Sequence, residues 1–204
     1  GGSPRLAVAS SLPYSRLMAA GNPSAFSTRD EILRVGRELV QTRSYLGFSF
    51  QDVADAVGVR KASLYHHFPT KEALGIEVLR EASQAFEAWA ARRSGAPDDQ
   101  LDAYFRMYRN GLQAGSGVCP AGALVPGWAC INEDLQAAVQ GLRQAQVRWL
   151  VGVLGELGRD VALAERQAAW VYATCQGALI TARMSGRVRD FDEVTAQLRA
   201  VLLD

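Results

Sequence analysis

Two short helical segments separated by a glycine restrict the fold of this chain more than any other feature of its sequence. Residues 50–57 and 60–67 read as helices, with Ala54 four residues before Gly58 and Leu64 six residues after it. In a helix-turn-helix the first of these positions is small where the helices cross, the second takes a left-handed turn, and the third anchors the second helix. An αα-corner without a role in DNA binding would keep the same residues, so the spacing alone leaves both interpretations open.

The second of these helices presents a basic and hydroxylated face. Acidic residues are absent from residues 60–70, and the side chains with reach for phosphate oxygens and base edges are Arg60, Lys61, Ser63, Tyr65 and His66. Residues 1–80 carry 10 basic against 7 acidic residues, although the net charge of the whole chain is only +1. Because a solvated helix face usually mixes both signs, this pattern favours a helix that enters the major groove of DNA.

Residues 50–74, FQDVADAVGVRKASLYHHFPTKEAL, resemble the DNA-binding signature of the TetR (tetracycline-repressor) family of bacterial transcriptional regulators. The family pattern runs Asp-Ile-Ala, two variable residues, Ala-Gly-Val-Ser-Lys, a small residue, Thr or Ser, Leu-Tyr, His or Tyr, Phe, a variable residue, Ser or Thr, and Lys-Glu-x-Leu. This chain departs from it at Val57, Arg60 and Ala62, where Ala, Ser and Gly are common. The resemblance implies a dimeric DNA-binding regulator, a repressor released from its operator by a small-molecule inducer.

The resemblance also implies which residues hold the DNA backbone. Ser49, at the start of the first of the two helices, would contact a phosphate together with the amide groups of that helix end. Tyr65 and His66 would contact the backbone through the phenol hydroxyl and the imidazole. Lys71, at the start of the following helix, would bind another phosphate.

The residues that could read the DNA bases lie at the start of the second helix. Arg60, Lys61 and Ser63 are the candidates for base edges or adjacent phosphates, and the added guanidinium of Arg60 could read guanine. By the same resemblance Leu64 and Phe68 belong to the core. His67 is expected either to pack and make a hydrogen bond, the favoured interpretation, or to contact a phosphate.

The remaining sequence predicts an all-α protein of about nine helices, because apolar residues recur at helical spacing and strand alternation is absent. We expect an N-terminal arm at residues 1–27, partly flexible, a three-helix helix-turn-helix DNA-binding domain at residues 28–75, and a larger helical ligand-binding and dimerisation domain at residues 76–204. Thr28 with Glu31 is expected to cap the first helix, and Asp98 or Asp99 the fifth. The eighth and ninth helices are expected at about residues 163–187 and 191–203.

Small residues follow one another along the eighth helix, among them Ala168, Ala169, Ala173, Gly177 and Ala178. Such residues permit close helix approach within one chain or between two chains. The resemblance implies a homodimer paired through helices eight and nine. A symmetric dimer binds a palindromic double-stranded DNA operator, because its two reading helices sit about 34–36 Å apart on one face of the duplex.

An inducer pocket is implied inside the second domain. Candidate lining residues are aromatic, hydroxyl and thiol side chains: Tyr104, Tyr108, Trp128, Trp149, Trp170, Thr174 and Cys175. Further polar contacts could come from Asn110, Gln113 and Gln176. Plain core packing is the alternative for each aromatic residue, and nothing in the sequence defines the charge of the ligand.

Cys119 precedes the expected sixth helix, a region where some members of the resembled family sense oxidants or electrophiles. A helix N-terminus favours the thiolate, so a cysteine-sensing repressor is one alternative function. A packed thiol acting as a small apolar side chain is the other interpretation of this residue. Three cysteines do not form a disulfide framework, and a reducing cytoplasm is the expected location.

Other classes of protein find little support in the sequence. Phosphate-binding glycine loops, a Gly-x-Ser-x-Gly motif and paired metal-ligand spacings are absent, so we expect neither an enzyme nor a cofactor. No stretch is long and apolar enough to indicate a membrane partner. A ligand-binding dimer that has lost DNA binding remains the second alternative.

Overall fold

The computed structural model describes residues 27–115 and 118–203, and all of its regular elements are helical. Nine α-helices lie in this part of the chain: α1 (Thr28–Arg43), α2 (Phe50–Val57), α3 (Lys61–His67), α4 (Lys71–Ala90), α5 (Pro97–Gln113), α6 (Pro120–Leu124), α7 (Glu133–Glu156), α8 (Val161–Ser185) and α9 (Val188–Leu203). Two 3₁₀ segments, Tyr45–Gly47 and Val125–Cys130, complete the described elements. The expected all-α class is confirmed. The arm predicted for residues 1–27 lies outside the described residues except for Ser27.

The turn between α2 and α3 has the left-handed geometry that its glycine predicts. Gly58 has φ +79°, and its N–H donates to the carbonyl oxygen of Ala54 at 2.9 Å. Ala54 and Leu64 are both fully buried, as the crossing of two close helices requires. The helix-turn-helix spacing read from the sequence is therefore realised in three dimensions.

Two expected helix caps were wrong. Ser27, not Thr28, caps α1, and it forms the capping box with Asp30 rather than Glu31. This shift by one residue leaves Glu31 free to accept a hydrogen bond from Arg34 on the helix surface. At α5 the N-cap is Ala96, with a proline in the first helical position instead of a capping carboxylate. A proline suits the first helical position because its φ is already helical and the N–H that it lacks would have no partner there, so α5 begins without a side-chain cap.

The later helices begin two or three residues earlier than their apolar stripes suggest. Asp160 caps α8 by accepting from the N–H of Leu163 at 2.8 Å, so the helix starts at Val161. The last helix starts at Val188 rather than at Phe191. Asn132 caps α7 by accepting from the N–H of Leu135 at 2.9 Å.

Helix α4 crosses the boundary expected between residues 75 and 76. It packs against α1 on one side and against α7 on the other, and a continuous apolar core runs from Ile32 to Leu202. Gly75 permits this close packing, since a Cβ there would lie 3.2 Å from Leu135 of α7 and 3.3 Å from the ring of Tyr45. Movement of α4 would therefore change the packing against α1 in the helix-turn-helix part and against α7 in the helical bundle.

Candidate nucleic-acid interface

The polar residues of helix α3 face outward because Leu64 is the buried residue of this helix. Leu64 is 0% exposed, whereas Arg60, Lys61, Tyr65 and His66 are exposed and Ser63 is partly exposed. Arg60 is the N-cap residue of the helix, so its side chain leaves the chain at the helix tip. The five residues of this helix that are predicted to contact DNA therefore lie on a surface to which the helix itself contributes no carboxylate.

The phenol ring of Tyr65 is held by a neighbouring aromatic ring. Phe50, at the start of α2, packs against it edge-on, with ring centroids 5.3 Å apart. Tyr65 remains 49% exposed, and its hydroxyl makes no hydrogen bond to another described residue. A ring fixed on one side with an unused donor at its tip suits a contact with a DNA phosphate.

A shallow groove lies where the first residues of α2 and α4 approach α3. Its lining residues are Phe48, Ser49, Phe50, Lys61, Tyr65, Pro69, Thr70 and Lys71. The groove thus brings together, from three separate helices, four of the seven residues predicted to bind DNA. Arg60, Ser63 and His66 lie outside its lining.

Ser49 has its hydrogen-bonding groups engaged at the start of α2. Its hydroxyl and its backbone N–H both donate to Oδ2 of Asp52, at 2.6 and 2.7 Å. These hydrogen bonds lower the pKa of the Asp52 carboxyl, so it is an anion at neutral pH. The phosphate contact predicted for Ser49 therefore requires its hydroxyl to turn away from Asp52, and it stays a prediction.

Thr70 is a groove residue that the sequence analysis did not assign to DNA binding. Its side-chain oxygen accepts from the N–H of Ala73 at 3.1 Å, which leaves the hydroxyl hydrogen available. The residue is exposed at the N-terminus of α4, where an anion is favoured by the helix dipole. Its position immediately before Lys71 was the signal that could have identified it.

Lys71 differs from the other residues predicted to bind DNA because its ammonium is directed into the protein. The ammonium donates to the carbonyl oxygens of Tyr45 and Phe48, and the residue is half-buried. Desolvation lowers the pKa of this lysine. The phosphate contact that the resemblance implies stays a prediction, and the geometry gives it less support than it gives Lys61.

A second polar cluster lies inside the helical bundle, among the predicted ligand-binding residues. Tyr104 donates to Oε1 of Gln146 at 2.8 Å, Tyr108 donates to the same oxygen, and Gln176 donates to the Tyr108 hydroxyl at 3.1 Å. Burial raises the pKa of both tyrosines, so they are neutral. Trp149 stacks on Tyr104 with ring centroids 5.7 Å apart.

Gln146 was not predicted as a site residue although a signal was present in the sequence. It lies four residues from both Leu142 and Leu150 on α7, in the middle of an apolar stripe, and is only 3% exposed. A buried amide in such a stripe needs polar partners, and the two phenols supply them.

Several of the predicted ligand-binding residues lie elsewhere. Trp170 is 43% exposed on the outer surface of α8, and Asn110 and Gln113 are also exposed. Trp128 lies in the second 3₁₀ segment, where its carbonyl accepts from Gln136. Thr174 is partly buried and shares no hydrogen bond with the tyrosine cluster.

The three cysteines are unpaired and differ in exposure. Cys130 is exposed, Cys119 is 8% exposed at the N-cap of the five-residue helix α6, and Cys175 is fully buried. Burial raises the pKa of the Cys175 thiol. The sensing role considered for Cys119 stays a prediction. Among residues 27–115 and 118–203, no group of metal-ligating side chains is assembled and no helix is long and apolar enough to cross a membrane.

Helices α8 and α9 carry most of the large exposed apolar side chains among the described residues. They are Val161, Trp170, Ile180, Met184, Val194 and Val201, and on α8 the side chains of Trp170, Ile180 and Met184 share one face by their helical spacing. Met184 is 83% exposed and Trp170 is 43% exposed, and exposed apolar side chains grouped on one helix face are typical of an interaction surface.

A helix-turn-helix with an exposed, carboxylate-free reading helix, joined to a larger helical bundle, defines a protein of the DNA-binding regulator class. Residues 32–78 match the family described as bacterial regulatory proteins, tetR family. Over 65 residues the chain is 40% identical to the HTH-type transcriptional repressor KstR2 of Mycolicibacterium smegmatis, covering 31% of this chain and 32% of that protein. It is 23% identical to the repressor NemR of Escherichia coli over 195 residues, 86% of this chain and 94% of that protein.

Solved structures agree over most of the chain. The structure of a TetR-family transcriptional regulator from Agrobacterium tumefaciens superposes with a TM-score of 0.80 at 27% identity, covering 85% of this chain and 96% of the other. A TetR regulator from Legionella pneumophila superposes with a TM-score of 0.83 at 23% identity, covering 87% and 98%. The chain is therefore similar to the tetR family of bacterial regulatory proteins in the sequence of its helix-turn-helix and in its overall fold.

Proposed function

We propose that this chain is a dimeric transcriptional repressor that binds a palindromic operator and is released from it by a small-molecule inducer. The observation that carries the proposal is the exposed face of α3, whose donors are held on a buried leucine and a left-handed glycine turn. Relatives named as transcriptional repressors support the sign of regulation.

The residues proposed to bind DNA divide into two groups. Arg60, Lys61 and Ser63, at the exposed start of α3, read base edges or adjacent phosphates. Ser49, Tyr65 and His66 hold the backbone, with Thr70 added from the groove. Contacts to the DNA backbone do not depend on the base sequence, so these backbone-binding residues contribute to affinity for every duplex alike.

The dimer is proposed to form through the exposed apolar side chains of α8 and α9. Burying Trp170, Ile180 and Met184, which share one face of α8, between two copies removes them from water, which is the driving force for association. A two-fold axis through this surface presents two copies of α3 to one face of the DNA, as a palindromic operator requires.

The inducer site is proposed at the tyrosine cluster, with Tyr104, Tyr108 and Trp149 as its aromatic wall. Trp149 touches Trp89 of α4 edge-on, with ring centroids 5.2 Å apart. A ligand that displaces Trp149 would therefore push on α4, the helix whose first residue lies in the DNA groove. The factor by which operator affinity falls is then set by how much more tightly the ligand binds the released conformation than the DNA-binding conformation.

The test is a selection of bound fragments from genomic DNA of the source organism, followed by anisotropy titrations on the recovered duplex. We expect two chains per duplex and at least about tenfold weaker binding by Lys61→Ala than by wild type. Arg148→Ala, an exposed arginine on α7, is the matched control and should bind as wild type. A strictly monomeric chain that binds no duplex at low ionic strength would overturn the proposal.

A further inference from the structure

The sequence contains two lysines, and the structure uses them in opposite ways. Lys61 is exposed at the start of α3 and lines the groove. Lys71 points inward, where its Nζ lies 4.3 Å from the centroid of the Tyr45 ring and 4.2 Å from that of Phe48. Together with the carbonyl oxygens of the same two residues, these rings form what we call the Lys71 cage.

The cage accounts for the presence of a cation at an otherwise unfavourable position. Lys71 is the first residue of α4, where the positive end of the helix dipole disfavours a positive charge. Two carbonyl acceptors and two aromatic faces offset both that repulsion and the loss of water. The nearby carboxylates of Glu72 and Asp52 act in the same direction by raising the pKa of the lysine against the effect of burial.

The residues that form the cage lead directly into the DNA-binding groove. Tyr45 begins the 3₁₀ turn after α1, and Phe48 immediately precedes Ser49, the N-cap of α2. Hydrogen bonds from Lys71 to the carbonyls of these two residues tie the entrance of α2 to the start of α4. The relative position of the two helix N-termini, and hence the shape of the groove, depends on this tie.

We propose that Lys71 is a positioning residue for DNA binding, which acts by holding the Tyr45–Phe48 segment through its ammonium rather than by neutralising a phosphate. The inference rests on the proposed function, since it concerns how the groove is prepared for DNA. Lys61 performs the direct electrostatic role.

Replacement by arginine separates the two roles. A guanidinium serves a phosphate contact at least as well as an ammonium does. It is larger and planar, so it does not fit between two rings while donating to both carbonyls. Lys71→Met supplies the complementary change, because it keeps an unbranched apolar stem and removes every donor.

The experiment measures affinity for a random-sequence duplex of about three helical turns over a range of salt concentrations, with thermal unfolding followed by circular dichroism. For Lys71→Arg and Lys71→Met we expect a lower Tm and affinity reduced about fivefold or more, with the slope of log affinity against log salt unchanged. Lys61→Ala is the matched control: its salt slope falls by about 0.9 for each phosphate that the variant no longer neutralises, and its Tm is unchanged.

Hydrogen exchange of the amides at residues 45–49 gives a readout that a phosphate contact would not move. Both Lys71 variants should lose protection there in the absence of DNA, while Lys61→Ala should not. A Lys71→Arg protein that fails to fold also supports the cage, since an outward lysine tolerates arginine. Wild-type affinity and Tm in Lys71→Arg, with a reduced salt slope in Lys71→Met, would overturn the inference. A wild-type protein that binds no duplex would instead remove the proposed function, and the exchange data would still report on the cage.

Discussion

The guanidinium of Arg183, on α8, donates hydrogen bonds to the main-chain carbonyl oxygens of Thr42 at 2.7 Å and Gln41 at 3.2 Å. The sequence alone suggests that this arginine pairs with an anion or with an acidic side chain on the surface. Its actual partners are carbonyls of the last turn of α1, where a cation is favoured by the helix dipole. The second domain thus holds the end of the helix that precedes the helix-turn-helix.

Arg183→Gln should destabilise the fold by about 0.5–1.5 kcal/mol, because two carbonyls of α1 lose a charged donor. For a chain of this size the Tm should fall by about 1–6 °C. Arg166→Gln, an exposed arginine on the same helix, is the control and should leave the Tm unchanged. Equal Tm values for the two variants in differential scanning calorimetry would show that the contact adds no stability.

Gly58→Ala should lower stability by about 1–2 kcal/mol, because the alanine must adopt φ +79°. A Cβ at this position meets nothing within 4 Å, so the cost is one of backbone conformation and not of a clash. Gly152→Ala makes the same chemical change within α7, also in open space, and should stabilise by about 0.5–1 kcal/mol. Chemical denaturation should show changes of opposite sign in the free energy of unfolding for the two variants. A Gly58→Ala protein as stable as wild type would show that the turn does not require a glycine.

Arg60→Ser should change which operators are bound. If the guanidinium reads guanine, its loss should cost about 1–3 kcal/mol at one base pair of each half-site and little elsewhere. Binding to a library of operators with single base changes measures this directly. An unchanged sequence profile, with weaker binding to every member, would assign Arg60 to the DNA backbone.

Gln146→Leu should destabilise by about 1–3 kcal/mol, because the buried hydroxyls of Tyr104 and Tyr108 lose their shared acceptor. Replacing both tyrosines by phenylalanine in the same variant removes the unsatisfied groups and should recover part of the loss. Urea denaturation of the single and triple variants provides the measurement. A single variant as stable as wild type would mean that the amide makes no net contribution.

Thiol labelling should distinguish the three cysteines. With an aromatic disulfide reagent we expect one fast-reacting thiol, Cys130, since Cys119 and Cys175 are buried. Cys130→Ser should then abolish the fast phase. A fast phase that survives in Cys130→Ser and disappears in Cys119→Ser would revive the oxidant-sensing alternative.

Local features of the fold were predictable because they depend on residues close together in the chain. The left-handed turn at Gly58 was read from the sequence, and it depends on neighbours within four or five positions, as does the Ser49–Asp52 capping box. The same locality explains the errors at α1: Ser27 and Thr28 both offer a hydroxyl with a carboxylate three residues later, and the local pattern does not choose between them.

The sequence by itself determined the helical class, the helix-turn-helix and the outward face of α3, since amphipathic spacing and turn chemistry specify them. Only the tertiary structure decided the direction of long side chains: Lys71 turns into its cage, Arg183 reaches α1, and Trp170 faces outward. The physical reason is that a side chain's partners come from helices far away in sequence. Their packing sets which donors, acceptors and rings lie within reach.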